Sequence, residues 1–446
     1  MLKLVDPTLN LFSYTLKQGL GVGEPETRKV YVKFLDGLAE QLHKKLTVSF
    51  TPEQKQKFRA LQEEAVADLP FTGNLNNHPV KGRYRRWNVT DNYQLLFDGY
   101  VDDKYENTQI IKLIESLKYL IPQPPKLENI GKTWMLSGWL ESGTDLEGTE
   151  LAKQVYKCLF AKDGVSQGSG EFLGGKVFEF WGDKLEDNLQ LLVILYPDEA
   201  AFRECSNFDI NWLDLLCFRH KIIWAYEKSL LLKERLVSNY NQIVEMRNTS
   251  RLNLQKLMEA MGKLSEFAID LNYLEFQYST IKVNLEKYEA KLVEIKTKAR
   301  LSDDLRFLQY FFNKAEQTYP KQIQKDIDNF RPCLEILRSL TDTIRGAVEI
   351  RKAESDRTFQ TAVGILGVGL STGGTVASVA SATANFKTEI AQYPKLNFAI
   401  NMVPIFSPGS ELRLILGSGI LSALAASLVT AIIIGVWLRI FRRWFR

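Results

Sequence analysis

Apolar side chains recur along the middle of this chain in steps of three and four. Leu257, Ala260, Leu264, Phe267, Leu271, Leu274, Tyr278, Ile281, Leu285, Tyr288, Leu292 and Ile295 form twelve consecutive a and d positions. Such a stripe predicts a long helix with a coiled-coil or helical-hairpin seam. A second series runs Ile323, Ile327, Phe330, Leu334, Leu337, Thr341, Ile344, Val348, with Pro320 placed to open that helix in its first turn. No proline interrupts Tyr226–Tyr319. Residues 221–357 are therefore expected to form a helical coiled-coil stalk.

Before residue 220 the pattern is mixed. Tyr93–Val101 (YQLLFDGYV) and Leu189–Tyr196 (LQLLVILY) read as strands, and Thr27–Leu46, Thr51–Ala67 and Gln109–Leu120 as helices. IPQPPKLENIG at 121–131 holds three prolines and is the best linker candidate. Residues 1–220 are expected to make an α+β domain, either two small lobes or one domain with a seam at 121–131.

After residue 357 the pattern changes again. Leu414–Leu438 gives 25 residues without charge, followed by RIFRRWFR. At 1.5 Å per residue the stretch is about 37 Å long, enough to cross a hydrocarbon core of about 30 Å. Thr358–Phe386 is also uncharged over 29 residues but rich in small side chains. Gly369, Gly373, Ala377 and Ser381 recur every fourth residue, a spacing that lets helix backbones approach closely, with Thr372, Thr375 and Ser378 beside them. The expectation is a two-helix transmembrane hairpin, spans 358–386 and 414–438, with the packing or pore-lining residues on the first. Arg351, Lys352 and Arg357 before it, and the arginines of the tail 439–446, place both flanks on the cytoplasmic side and the loop 387–413 outside. The N-terminus has no apolar segment resembling a signal peptide. The resulting localisation is a plasma (inner) membrane, multi-pass, with both termini cytoplasmic.

Composition narrows the chemistry. Lys+Arg 57 against Asp+Glu 53 gives a net charge of +4 over 446 residues, too little to imply a nucleic-acid partner. The four cysteines and three histidines form no CxxC and no zinc spacing, so the cysteines read as buried thiols in a reducing compartment. No Ser-His-Asp, Cys-His or HExxH arrangement and no phosphate loop is present, so no enzyme is expected. One dense basic cluster lies outside the membrane flanks: Lys81, Arg83, Arg85 and Arg86, interleaved with Tyr84 and Trp87. Guanidinium forks and an aromatic face suit a small anionic ligand; the competing reading is a salt-bridged strand.

An α+β domain, a stalk, two C-terminal spans and a basic tail resemble, in architecture, the CorA family of divalent-cation channels. Ser407-Pro408-Gly409-Ser410-Glu411-Leu412-Arg413 enters the second stretch in a similar fashion to that family's outer segment. The family's Gly-Met-Asn triplet is absent, the nearest text being Ile400-Asn401-Met402. The resemblance implies a homo-oligomer in membrane lipid that conducts ions through a pore gated by its cytoplasmic domain. It leaves the cofactor unknown, with a divalent cation as the only candidate. The alternative function is a membrane-anchored sensor or effector whose cytoplasmic domain binds a ligand or partner without selective ion transport.

Overall fold

The computed structural model describes residues 3–17, 24–60, 66–75, 78–88, 91–101, 104–121, 129–141, 148–164, 166–182, 185–247 and 254–352. Its elements are β1 (Lys3–Leu16), α1 (Glu24–Leu46), α2 (Pro52–Arg59), β2 (Val66–Leu75), β3 (His78–Asn88), β4 (Asn92–Tyr100), β5 (Lys104–Glu106) and α3 (Asn107–Leu120). There follow β6 (Asn129–Leu140), α4 (Gly148–Phe160), β7 (Ser166–Phe172), β8 (Gly175–Trp181), β9 (Leu189–Tyr196), α5 (Glu199–Glu204), α6 (Asp209–Arg247), α7 (Leu254–Lys298) and α8 (Arg306–Lys352).

One nine-stranded sheet runs β2-β3-β4-β1-β6-β9-β8-β7, with β5 paired to β1. It is assembled from two similar halves, each a strand, a helical connection and a three-strand meander that returns beside the first strand. In the second half one helix, α4, precedes the meander, and β9 lies parallel to β6. In the first half two helices, α1 and α2, intervene and β4 lies antiparallel to β1. β1 and β6 then pair antiparallel, Leu9 opposite Leu136 and Leu11 opposite Trp134, so the halves share one sheet rather than forming separate lobes.

Strand alternation sends two residue sets to opposite faces. Leu69, Phe71, Tyr84, Leu95, Phe97, Trp134, Phe180, Leu191 and Val193 join a core with Leu35, Leu38 and Leu42 of α1, Ile110, Ile114 and Leu117 of α3, and Leu151, Val155 and Leu159 of α4. The ends of these helices cap one another. Lys45 at the end of α1 donates to the Tyr119 carbonyl that ends α3, and Lys118 of α3 donates to the Cys158 and Leu159 carbonyls that end α4. Ammonium groups there satisfy carbonyls left without intrahelical partners and complement the helix dipoles.

The other face carries Tyr14, Gln94, Thr133, Ser137, Glu179 and Gln190 among its apolar residues, and the first part of α6 lies over it with the adjoining parts of α7 and α8. Contacts include Tyr14 Oη donating to the Leu213 carbonyl, the Phe172 and Trp212 rings edge to face at 5.2 Å, and Trp181 against Phe311 at 5.8 Å. The chain divides into two compact units, one from Met1–Gly19, Glu24–Lys233 and Tyr273–Asp328, the other including Glu234–Asn272 and the described part of Asn329–Arg446. In the second unit Leu257, Ala260, Met261, Ile344 and Val348 form a small core of their own, and Phe267 meets Phe330 edge to face at 6.0 Å.

These observations correct several expectations. The α+β part stands, but the stripe on α7 is not the seam of a projecting stalk. Eleven of its twelve positions are buried within a single chain, Tyr278 being the exception, because the stripe is covered by the chain's own neighbouring elements. It therefore supplies no argument for an oligomer. Pro320 and Pro332 lie inside α8 rather than at its start; each forgoes one backbone bond, and burial of Tyr319, Ile323, Ile327 and Phe330 around them holds the helix. The helix expected at Thr51–Ala67 ends at Arg59, and Ala67 lies in β2.

Among the described residues no helix is long and apolar enough to cross a membrane. α6 is buried nearly all round over 211–225, and it carries Arg219, His220 and Lys221 in that most apolar stretch. The two-helix transmembrane hairpin, the CorA-like architecture built on it, the channel and transport reading, and the multi-pass inner-membrane localisation are thereby set aside. The stretches 358–386 and 414–438, the loop 387–413 and the tail 439–446 lie outside the described residues. So do Gly369, Thr372, Gly373, Thr375, Ala377, Ser378 and Ser381, and the prolines of the proposed linker.

Candidate functional site

Strand parity splits the basic cluster. On β3, Lys81, Arg83, Arg85 and Trp87 share one face, while Tyr84 and Arg86 share the other. Arg86 is fully buried beneath α2, where its guanidinium donates to the Phe58 and Lys57 carbonyls at the end of that helix. It is a helix cap and is closed to any ligand.

Arg83 and Arg85 lie on the sheet face over which the first part of α6 runs, and the α6 residue that Arg83 meets is its first, Asp209. Register places Arg83 opposite Asp98 of β4, and Arg85 opposite Asp68 of β2. Arg85 grips Asp68 bidentately, Nε–Oδ1 2.7 Å and Nη2–Oδ2 3.1 Å, and its guanidinium lies 5.6 Å from the Trp87 ring. Arg83 is held more loosely. Its Nε is 3.4 Å from Asp98 and its Nη2 is 3.6 Å from Asp209, the first residue of α6. The buried Nε–H of Arg83 has no hydrogen-bond acceptor. One arginine thus stands between a sheet carboxylate and the root of a 39-residue helix.

The two carboxylates are poised accordingly. Burial, helped by the nearby Asp209 charge and opposed by Arg83, pushes the Asp98 carboxyl up to about 6. Burial likewise raises Asp209, with Arg83 and Arg85 opposing. A carboxylate that binds its proton more tightly in the folded protein stabilises the fold fully below its unfolded pKa of 3.8, and that stability is lost as pH rises towards 6. We expect Asp98→Asn to gain about 1–2 kcal/mol on the native chain between pH 4 and 6.5, the rise of the carboxyl from 3.8 to about 6 being discounted for partial exposure. Urea unfolding of both proteins at four pH values measures this; parallel curves would show that Asp98 carries no such shift.

Beneath the middle of α6 lies a chain of buried polar groups that the sequence analysis did not single out. Glu179 of β8 accepts from Gln190 Nε2. Thr133 Oγ1 lies 2.9 Å from Gln190 Oε1 and 2.7 Å from His220 Nε2, and His220 Nδ1 lies 2.8 Å from Asn188 Oδ1. Asn188 Nδ2 donates to the Ile130 and His220 carbonyls. Gly131 on β6 makes room for this, since a Cβ there would stand 2.4 Å from His220 Nδ1. Arg219 lies beside the chain, its guanidinium 5.0 Å from the Trp181 ring and 4.8 Å from that of Phe311. Burial raises the Glu179 carboxyl against the pull of Arg219, and burial and Arg219 together hold His220 well below the usual histidine range. The signal in the sequence was the run Arg219-His220-Lys221 inside the apolar segment 212–225, where three basic residues must be buried or bridged.

Other chemistry finds little support here. The four thiols are free, Cys217 buried and Cys158, Cys205 and Cys333 partly so. Burial pushes Cys158 and Cys205 up to about 11 and Cys217 to about 12, which keeps them protonated and poorly nucleophilic. Among the described residues no group of three His, Cys, Asp or Glu could hold a metal ion. No protein-family model, no curated protein and no solved structure matches this chain.

Proposed function

We propose that this protein is a non-catalytic sensor or effector whose α/β unit binds an anionic ligand at Arg83 and Arg85 and whose response is carried by α6. The observation behind this reading is the buried Arg83 Nε–H, which makes no hydrogen bond although the guanidinium is ion-paired to Asp98 at 3.4 Å and to Asp209 at 3.6 Å. An oxyanion offers that donor a short charge-assisted bond, which two carboxylates at 3.4 and 3.6 Å do not. Its arrival competes with Asp209 and loosens the first turn of α6. The bidentate Asp68–Arg85 pair and the Trp87 ring set the outer wall of the site.

The test is hydrogen exchange over residues 209–219 with inorganic phosphate, against sodium chloride at matched ionic strength. Phosphate is expected to speed exchange in the first turns of α6, and Arg83→Ala to exchange at the faster rate with or without phosphate. Identical exchange in phosphate and chloride would overturn the reading.

A further inference from the structure

On the opposite face of the sheet, α1 presents Gly37, Glu40, Gln41, Lys44 and Lys45 along one side, at spacings of three and four. Together with Asn74 and Leu75 at the end of β2, and Tyr119 at the end of α3, they line a groove of about 550 Å³. That volume is within the range of small-molecule sites. The lysines alone have a sufficient structural reason, because basic residues in the last turn of α1 complement its dipole and Lys45 caps α3. Two other features have none.

The first is Gly37. It sits in the interior of a 23-residue helix, where glycine is the least favourable residue after proline. Apart from its chain neighbours and the helix's own backbone, no atom lies within 4 Å of where its Cβ would be, so neither close packing nor a special backbone conformation calls for glycine. Its effect is to leave the floor of the groove open. The second is Tyr119, a large aromatic residue that is 62% exposed. The Lys45 ammonium stands over that ring, 3.6 Å from its centre, while Gln41 Nε2 donates to the Tyr119 carbonyl at 3.4 Å. An exposed ring polarised by a cation is a stacking platform for a planar ligand.

We propose that this groove binds a small molecule of the mononucleotide class, a planar base joined to a phosphate. The base stacks on Tyr119 above the space left by Gly37. The phosphate meets Lys44 and Lys45, and the Glu40 carboxylate and the Gln41 and Asn74 amides are the polar groups within reach of the base and sugar. The site lies on the sheet face away from Arg83 and does not rest on the sensor reading.

Adenosine monophosphate is the probe, titrated into the full chain by calorimetry with adenosine and inorganic phosphate as separate arms. Saturable binding of the nucleotide, at least tenfold tighter than either fragment, is expected. Gly37→Leu fills the floor and should weaken binding at least tenfold, and Tyr119→Ala at least fivefold, the range of one base–aromatic stack. Because the space over Gly37 is open, Gly37→Ala should raise the Tm by about 1–3 °C and Gly37→Leu should not lower it, which separates loss of ligand from loss of fold. No nucleotide binding at 5 mM, phosphate binding as tightly as the nucleotide, or unchanged affinity in Gly37→Leu would each overturn the assignment.

Discussion

Arg219→Ala is expected to destabilise the protein by about 3–5 kcal/mol at pH 7, among the largest effects of any single substitution in the α/β unit. Arg219 and Glu179 are both about 1% exposed, and Arg219 is the charge that opposes the upward push of burial on the Glu179 carboxyl. Removing the guanidinium leaves that carboxylate buried without the cation that opposes its burial, and also strips the Trp181 and Phe311 rings of the group they enclose. Protonating Glu179 relieves the charge, so the loss should be smaller at pH 5 than at pH 7. The double change Glu179→Gln with Arg219→Met removes both charges and keeps the aliphatic filling between the rings. It should recover most of the loss, since a buried ion pair is dispensable as a pair and costly when broken. Urea unfolding of the three variants at both pH values decides the matter. A double variant as unstable as Arg219→Ala would show that the site depends on arginine geometry rather than on charge balance.

The polar chain next to that pair has two complete donor–acceptor schemes. In one, Glu179 is ionised, Gln190 donates to it, Thr133 donates to Gln190 Oε1, and His220 must be protonated to donate to both Thr133 and Asn188. In the other, the Gln190 amide is turned over, Glu179 is protonated, and a neutral His220 accepts from Thr133 through Nε2 while donating to Asn188 through Nδ1. Burial raises Glu179 and lowers His220, which works against the doubly charged scheme, while the pull of Arg219 works for an ionised Glu179. The layer between sheet and helices thus sets a buried Arg219 beside a hydrogen-bonded polar chain. It fixes the seating of α6 by hydrogen-bond direction, which an apolar layer cannot do.

Local rules made part of this architecture readable. Leu189–Tyr196 is a continuous apolar run buried on both faces, and it was found to the residue as β9. The start of α2 is set by its own Thr51–Gln54 capping box, but its end depends on Arg86, 27 residues further along the chain, donating to the carbonyls of its last turn. For the charged cluster on β3 an anion site and a salt-bridged strand both stood open, because its partners, Asp68, Asp98 and Asp209, are contributed by three other elements. Parity alone would have separated Arg86 from Arg83 and Arg85 once β3 was known to be a strand. The twelve-position stripe on α7 was legible as a buried seam, but nothing in a heptad says whether its partner is a second chain or the same one.

That last distinction has a measurable consequence. Leu285 occupies an a position of the stripe and is 5% exposed within one chain, and the neighbouring Tyr288 donates to the Leu308 carbonyl of α8 and stacks on Phe312 at 6.3 Å. Leu285→Asp places a carboxylate where no cation is provided for it, at a cost of several kcal/mol. In a seam between chains, that cost would appear as dissociation and would be recovered at high protein concentration by mass action. In a seam closed within one chain, helical signal and Tm should fall by the same amount at 1 and 100 μM. Glu286, on the exposed side of α7, provides the control, since Glu286→Asp should leave both unchanged within about 0.5 kcal/mol. A Tm loss in Leu285→Asp that shrinks as concentration rises would return the stripe to an intermolecular role, whereas a concentration-independent loss assigns it to the α6–α8 helices of one chain.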